Sequence, residues 1–205
     1  KEHYHPFRVG KRTWIRPSWY DEVDDAGETV RDNDIVLVLD PGMAFGTGLH
    51  PTTQNCLRAL EEIVEKGNRI LDVGTGSGIL AIAALKLGAV HAVGVDTDSL
   101  AVKTAVTNAT QNQVEDLFRV WRGDLSSVVD KDWDVVLVNI LAPVIIGLLG
   151  EGQLMKYVAE NGWLVLSGII DSQAVDVEKA VDAAGGHVVK RICVRDWVTL
   201  VVQPT

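Results

Sequence analysis

The segment Leu71-Asp72-Val73-Gly74-Thr75-Gly76-Ser77-Gly78 sets glycines at 74, 76 and 78, with a carboxylate two residues ahead of the first. Glycine lets a backbone turn sharply and approach a ligand closely. A dinucleotide fingerprint, G-x-G-x-x-G, needs its last glycine one place further on. That position is Ile79. Asp72 would repel a pyrophosphate and suits a ligand with a cationic amine. Asp96 stands 22 residues after Gly74, where a carboxylate can accept both ribose hydroxyl protons. Asp98 is a nearby rival whose other role is to cap a helix. Asp124, in Gly123-Asp124-Leu125, can accept from an exocyclic adenine amine or act as a plain turn residue. Together these residues describe a site for a nucleoside with a positively charged tail.

Such residues need strand ends to carry them. Apolar runs predict strands at 35–39, 69–73, 91–95, 118–121, 133–138 and 163–166. Helical patterns are expected over 52–66, 79–87, 99–112, 143–159 (interrupted near Gly150 and Gly152) and 174–184, and Ser99 is a good N-cap. Two closing strands, 187–194 and 197–202, turn at Arg195-Asp196. Strands that alternate with crossover helices give an α/β fold. A mostly parallel sheet covered on both faces is expected, and at least one of the two closing strands, with no helix between them, pairs antiparallel. Residues 5–16 read as an extended segment or hairpin. The expected division is 1–34 as linker and N-terminal extension, and 35–205 as the main domain.

At 205 residues the chain can bury roughly 70% of its unfolded surface and needs neither disulfide nor metal to fold. Its two cysteines, 56 and 193, form no metal-ligand spacing, so no metal is expected and a reducing, cytoplasmic setting is the default. No apolar run is long enough to span a membrane. The net charge of −9 disfavours direct nucleic-acid binding and favours a basic partner. Much of it sits in 21–34, where seven carboxylates face Arg31 alone. That stretch is either a solvated loop or an acidic lip for a basic substrate.

The order acidic-x-G-x-G-x-G, acidic strand end, then Asp after the third strand resembles class I S-adenosylmethionine-dependent methyltransferases. The resemblance implies S-adenosyl-L-methionine as cofactor, residues 35–205 as a methyltransferase catalytic domain, and an α/β fold built on a Rossmann-like, doubly wound, seven-stranded, mostly parallel sheet with an antiparallel C-terminal hairpin strand. It also implies that Asn139, in Asn139-Ile140-Leu141-Ala142-Pro143, faces the methyl acceptor, its amide oxygen aiming an amine at the sulfonium methyl. Planar acceptors go with N-P-P-Y here, so Ile140 and Leu141 argue for a non-planar one.

Asp40-Pro41-Gly42-Met43-Ala44-Phe45-Gly46-Thr47-Gly48-Leu49-His50-Pro51-Thr52-Thr53 is similar to the signature of the ribosomal protein L11 methyltransferase family (PrmA). Ser167-Gly168-Ile169-Ile170, Asp196-Trp197-Val198 and Tyr4-His5-Pro6 extend the likeness over nearly the whole chain. That resemblance implies a protein methyltransferase acting on α-amino and lysine ε-amino groups of a basic ribosomal protein. By matching positions, cofactor contacts fall on Thr53, Gly74, Asp96 and Asn139. Phe45, with Gly46 and Thr47 beside it, is a lid over the methyl group or a core anchor. Thr52 and Thr53 have helix capping as their other role. The family also implies an upstream substrate-recognition domain outside this chain. Rival readings are a lysine methyltransferase of another protein, a non-catalytic nucleoside-binding module, and a nicotinamide dehydrogenase, which Ile79 and Asp72 oppose.

Overall fold

The computed structural model describes residues 5–20, 27–40, 48–150 and 153–205. Three short strands come first: β1 (Phe7–Val9), β2 (Thr13–Arg16) and β3 (Ile35–Val38). Then follow α1 (Pro51–Ile63), β4 (Arg69–Val73), α2 (Ile79–Leu87), β5 (His91–Asp96), α3 (Ser99–Gln111), β6 (Phe118–Arg122) and β7 (Trp133–Asn139). The chain closes with α4 (Ala142–Gly150), β8 (Val158–Ile170), α5 (Asp171–Ala183), β9 (Gly186–Val194) and β10 (Trp197–Pro204).

Seven strands make the main sheet in the order β6-β5-β4-β7-β8-β10-β9. All neighbours from β6 to β8 are parallel, and β10 runs antiparallel to both β8 and β9. This is the expected doubly wound sheet with its antiparallel hairpin. The strands are near-continuous apolar runs because both faces are buried. Ile70, Leu137 and Val165 pack in one core layer, and their chain neighbours Leu71, Val136 and Leu164 in the other. The chain steps outward from β4 through β5 to β6, then returns to the other side of β4 as β7. That reversal creates a crevice at the carboxyl ends of β4 and β7.

Some local expectations change. β3 stays out of the main sheet and pairs parallel with β2, which pairs antiparallel with β1. The end of β3 is closed by a side chain: Val38 N donates to Asn112 Oδ1 at 2.9 Å, and Asn112 Nδ2 donates to Val38 O at 2.8 Å. The helical stretch ends at Gly150, where an interruption is expected, but it does not resume to 159: β8 begins at Val158. Helix α3 is capped by Asp98, whose carboxylate accepts from Leu100 N at 2.8 Å, rather than by Ser99.

The acidic stretch is less free than its composition suggests. Arg8 reaches Glu28 at 2.6 Å and Asp34 at 2.7 Å, and Arg31 also meets Glu28. These two carboxylates hold the N-terminal strands together and cannot serve as a lip. Asp21, Glu22, Asp24 and Asp25 lie outside the described residues. Among the described residues no helix is long and apolar enough to cross a membrane, and no His/Cys/Asp/Glu group could hold a metal ion.

Candidate active site

Parallel register brings the strand ends level. Val73 pairs with Val95 on one side and with Val138 on the other, so Gly74, Asp96 and Asn139 emerge side by side. Gly123 and Asp124 follow β6 one strand further out. Above them lies a cavity of about 420 Å³, lined by Gly74, Gly76, Asp96, Asp124 and Asn139 with apolar Val95, Leu125, Ile140, Leu141, Val144 and Leu148. Its size and its few polar groups on an apolar wall suit a nucleoside.

Gly74 has φ of 71°, and a Cβ there would come within 2.6 Å of Ile140 Cγ2. The loop therefore has no room for a side chain at this point. Gly76 N donates to Asp96 Oδ2 at 2.9 Å, and Asp98 N donates to Asp96 Oδ1 at 2.9 Å. These two bonds aim the Asp96 carboxylate and leave each oxygen a lone pair for a ligand. Asp124 takes its turn role: its Oδ1 accepts from Ser126 N at 3.0 Å and from the Ser126 hydroxyl at 2.5 Å. Those bonds hold its pKa below the usual carboxylate value while it still lines the cavity. Gly78 is placed apart from the other loop glycines. Its Cα faces Phe118 and Ala105, and it lines none of the cavities. Phe45, Gly46 and Thr47 lie outside the described residues.

Below the loop a narrow crevice of about 20 Å³ is lined by Thr53, Asp72, Gly74, Thr75, Gly76 and Asn139, among others. Thr53 Oγ1 is buried there with no hydrogen-bond partner among the described residues. A buried hydroxyl left unpaired costs roughly 1–3 kcal/mol, which a ligand bond would recover. Neither threonine caps α1. His50 does so: its Nδ1 accepts from Thr52 N at 3.4 Å and meets the Thr52 hydroxyl at 2.7 Å. Thr53 is thereby released toward the crevice.

Asp72 is buried, and desolvation pushes its pKa up to about 7, although the Thr75 hydroxyl at 2.7 Å and the Ala81 amide oppose the rise and the Asp96 charge adds to it. The raised value means that the folded protein keeps this proton until the pH passes about 7, so the group stabilises the fold at low pH and loses that contribution as pH rises. A cationic ligand tail reverses the preference and favours the carboxylate. Binding near neutral pH is therefore expected to release a proton, and affinity to rise with pH up to and just beyond 7. Calorimetry in two buffers of different ionisation enthalpy checks this; identical observed heats would refute it.

Asn139 is half-buried, and its side chain makes no hydrogen bond among the described residues. It also lines a second cavity, of about 350 Å³, with His50, Thr52, Ile140, Leu141, Gly168 and Trp197. This chamber is largely apolar. The His50 ring meets Trp197 edge-on at 4.7 Å and 72°. Composition and spacing did not single out Trp197 as a site residue; its only signal was the match of Asp196-Trp197-Val198. It enters from the last strand, far along the chain.

Comparison with known proteins gives a consistent picture. The model of the family described as ribosomal protein L11 methyltransferase (PrmA) matches residues 1–205. The chain is 43% identical over 208 residues to the ribosomal protein L11 methyltransferase of Desulfosudis oleivorans, covering 100% of this chain and 66% of that protein. It superposes with a TM-score of 0.88 on the crystal structure of the ribosomal protein L11 methylase of Lactobacillus delbrueckii subsp. bulgaricus, at 31% identity, covering 98% of this chain and 100% of that one. An RNA methyltransferase from Salinibacter ruber, crystallised with S-adenosyl-L-homocysteine, shares the fold at a TM-score of 0.60 and 20% identity, covering 76% of this chain and 94% of that one. The chain spans 61% to 66% of the length of the curated relatives it matches.

Proposed function

The chain belongs to the ribosomal protein L11 methyltransferase (PrmA) family, and from that premise we propose that it is the catalytic part of an S-adenosylmethionine-dependent protein N-methyltransferase. Its substrate in this reading is ribosomal protein L11, with α-amino and lysine ε-amino groups as acceptors. The observation that carries the reading is the position of Asn139, which lines both the nucleoside-sized cavity and the apolar chamber. One side of that residue faces a donor and the other an acceptor.

The residues present fit the cofactor. The Asp96 carboxylate on the cavity floor suits ribose hydroxyls, and the unpaired Thr53 hydroxyl and buried Asp72 suit a charged amino-acid tail. When bound, the cofactor supplies an electrophilic methyl group on a sulfonium. The protein's task is then to hold an amine in line. Asn139 Oδ1 accepts one N–H of the acceptor and turns its lone pair toward the donor side. The apolar walls of the chamber disfavour the ammonium form and so lower the pKa of an entering lysine from about 10.4. His50 Nδ1 accepts from Thr52 N, which places the neutral ring's proton on Nε2 and leaves no free ring lone pair for the amine, so the amine's proton goes to solvent before transfer. Positioning and exclusion of water supply the rate. An upstream substrate-recognition domain and a cytoplasmic location belong to the same proposal.

Incubation of the full-length protein with S-adenosylmethionine and ribosomal protein L11, followed by mass spectrometry of the latter, tests the reading. Stepwise addition of methyl groups to amines is expected. Tight cofactor binding without transfer to any protein would reduce the chain to a nucleoside-binding module. Transfer to another protein but not to this one would move the substrate assignment.

A further inference from the structure

A β-bulge interrupts the pairing of β8 with β10 beside the apolar chamber. Ser167 and Gly168 on β8 together oppose Thr199 on β10, between the pairs Ile169↔Val198 and Leu166↔Leu200. Bulges re-aim side chains and bend the strand that carries them. Here the bulge turns the Ser167 hydroxyl onto Thr199 Oγ1 at 2.6 Å and onto Thr52 O at 3.3 Å. Both hydroxyl residues are wholly buried. A serine hydroxyl has one proton. With that proton given to Thr52 O, Thr199 must be the donor in the pair, and the chain of bonds runs Thr199 to Ser167 to Thr52 O.

Thr52 O belongs to the first turn of α1, which also carries Thr53 into the crevice. The other half of the bulge touches the opposite side of the site. Gly168 has φ of 84°, and a Cβ there would come within 2.8 Å of the Ile140 carbonyl carbon. The bulge backbone therefore rests directly on the residue that follows Asn139, and Asn139 itself pairs in register with Ser167. One irregularity thus contacts the strand end bearing Asn139 and the helix turn bearing Thr53. Neither hydroxyl lines the cavities.

We propose that Ser167 and Thr199 are positioning residues for methyl transfer, holding the Thr53 side of the site in register with the Asn139 side. The inference rests on the methyl-transfer reading above. Thr199→Val keeps the volume and removes the hydroxyl; Ser167→Ala removes the link to Thr52. In the full-length protein each is expected to lower kcat by about 10-fold, because small misplacements of reacting groups are costly. The dissociation constant for S-adenosylmethionine should rise by only about 3-fold, since the Thr53 contact is weakened while Asp96 and the glycine loop are untouched. The double variant should be no slower than Ser167→Ala, because both hydroxyls act through one chain of bonds. Thr199→Ser should restore kcat. Folded variants with unchanged kcat, or losses that simply add, would overturn the inference. If Ser167→Ala does not fold, the Thr199→Val and Thr199→Ser pair decides. Absence of amine methylation by the unmodified protein would instead remove the reading beneath it.

Discussion

Asn139→Ala is expected to lower kcat by about 100-fold while leaving cofactor affinity within about 3-fold. The residue sits where the two larger cavities meet, and it is the one polar strand-end side chain that both share. Its amide makes no hydrogen bond to the rest of the described protein. Truncation therefore forfeits little packing, and thermal stability should change little. What is lost is the acceptor oxygen that orients the incoming amine, an interaction that matters most as the carbon–nitrogen bond forms. Asn139→Asp sharpens the test. A carboxylate in this position would stabilise the ammonium form of the acceptor, so its deficit should be deepest at neutral pH and shrink as pH rises. Single-turnover kinetics at saturating cofactor separate these effects from binding. A rate within about 2-fold of the parent for Asn139→Ala would remove the residue from the acceptor site.

Asp96→Ala is expected to weaken S-adenosylmethionine binding by about 30- to 100-fold, with little change in kcat once the cofactor is saturating. A hydrogen bond to a charged group contributes about 1.5–3 kcal/mol, and a factor of ten in affinity is 1.4 kcal/mol, so loss of one net ribose hydrogen bond alone accounts for the range. The substitution also strips Gly76 N and Asp98 N of their acceptor. Asp96→Asn distinguishes the two contributions, because the amide keeps one oxygen for the loop but meets the ribose with a donor. Titration calorimetry gives both constants. An unchanged dissociation constant for Asp96→Ala would refute the ribose role.

The main sheet was legible because its strands are buried on both faces and read as apolar runs, such as Val135 to Val138. Gly74, Asp96 and Asn139 were legible because each sits at or just past the end of a strand, and parallel register brings such positions together without any long-range information. Other features depend on contacts that leave no local mark. His50 as the cap of α1 was hidden by two adjacent threonines, which are the commoner caps. The pairing of Arg8 with Glu28 and Asp34 joins residues 20 and 26 positions apart, so the acidic stretch looked freer than it is. Trp197 reaches the chamber only through the antiparallel return of β10 between β8 and β9. β3 sounded like a member of the main sheet by composition, but it finds its partner in β2 and its end is closed by Asn112.

That closure of β3 has a bearing on when the site is completed as the chain folds. Val38 and Asn112 are 74 residues apart, and bringing such distant points together costs roughly 4 kcal/mol of chain entropy. The strands β4, β5 and β6 connect through short crossovers and can form without it. The nucleoside half is therefore expected to assemble early, while the N-terminal sheet joins later, when Ile15 and Leu37 bury themselves in the core that α1 and α2 also share.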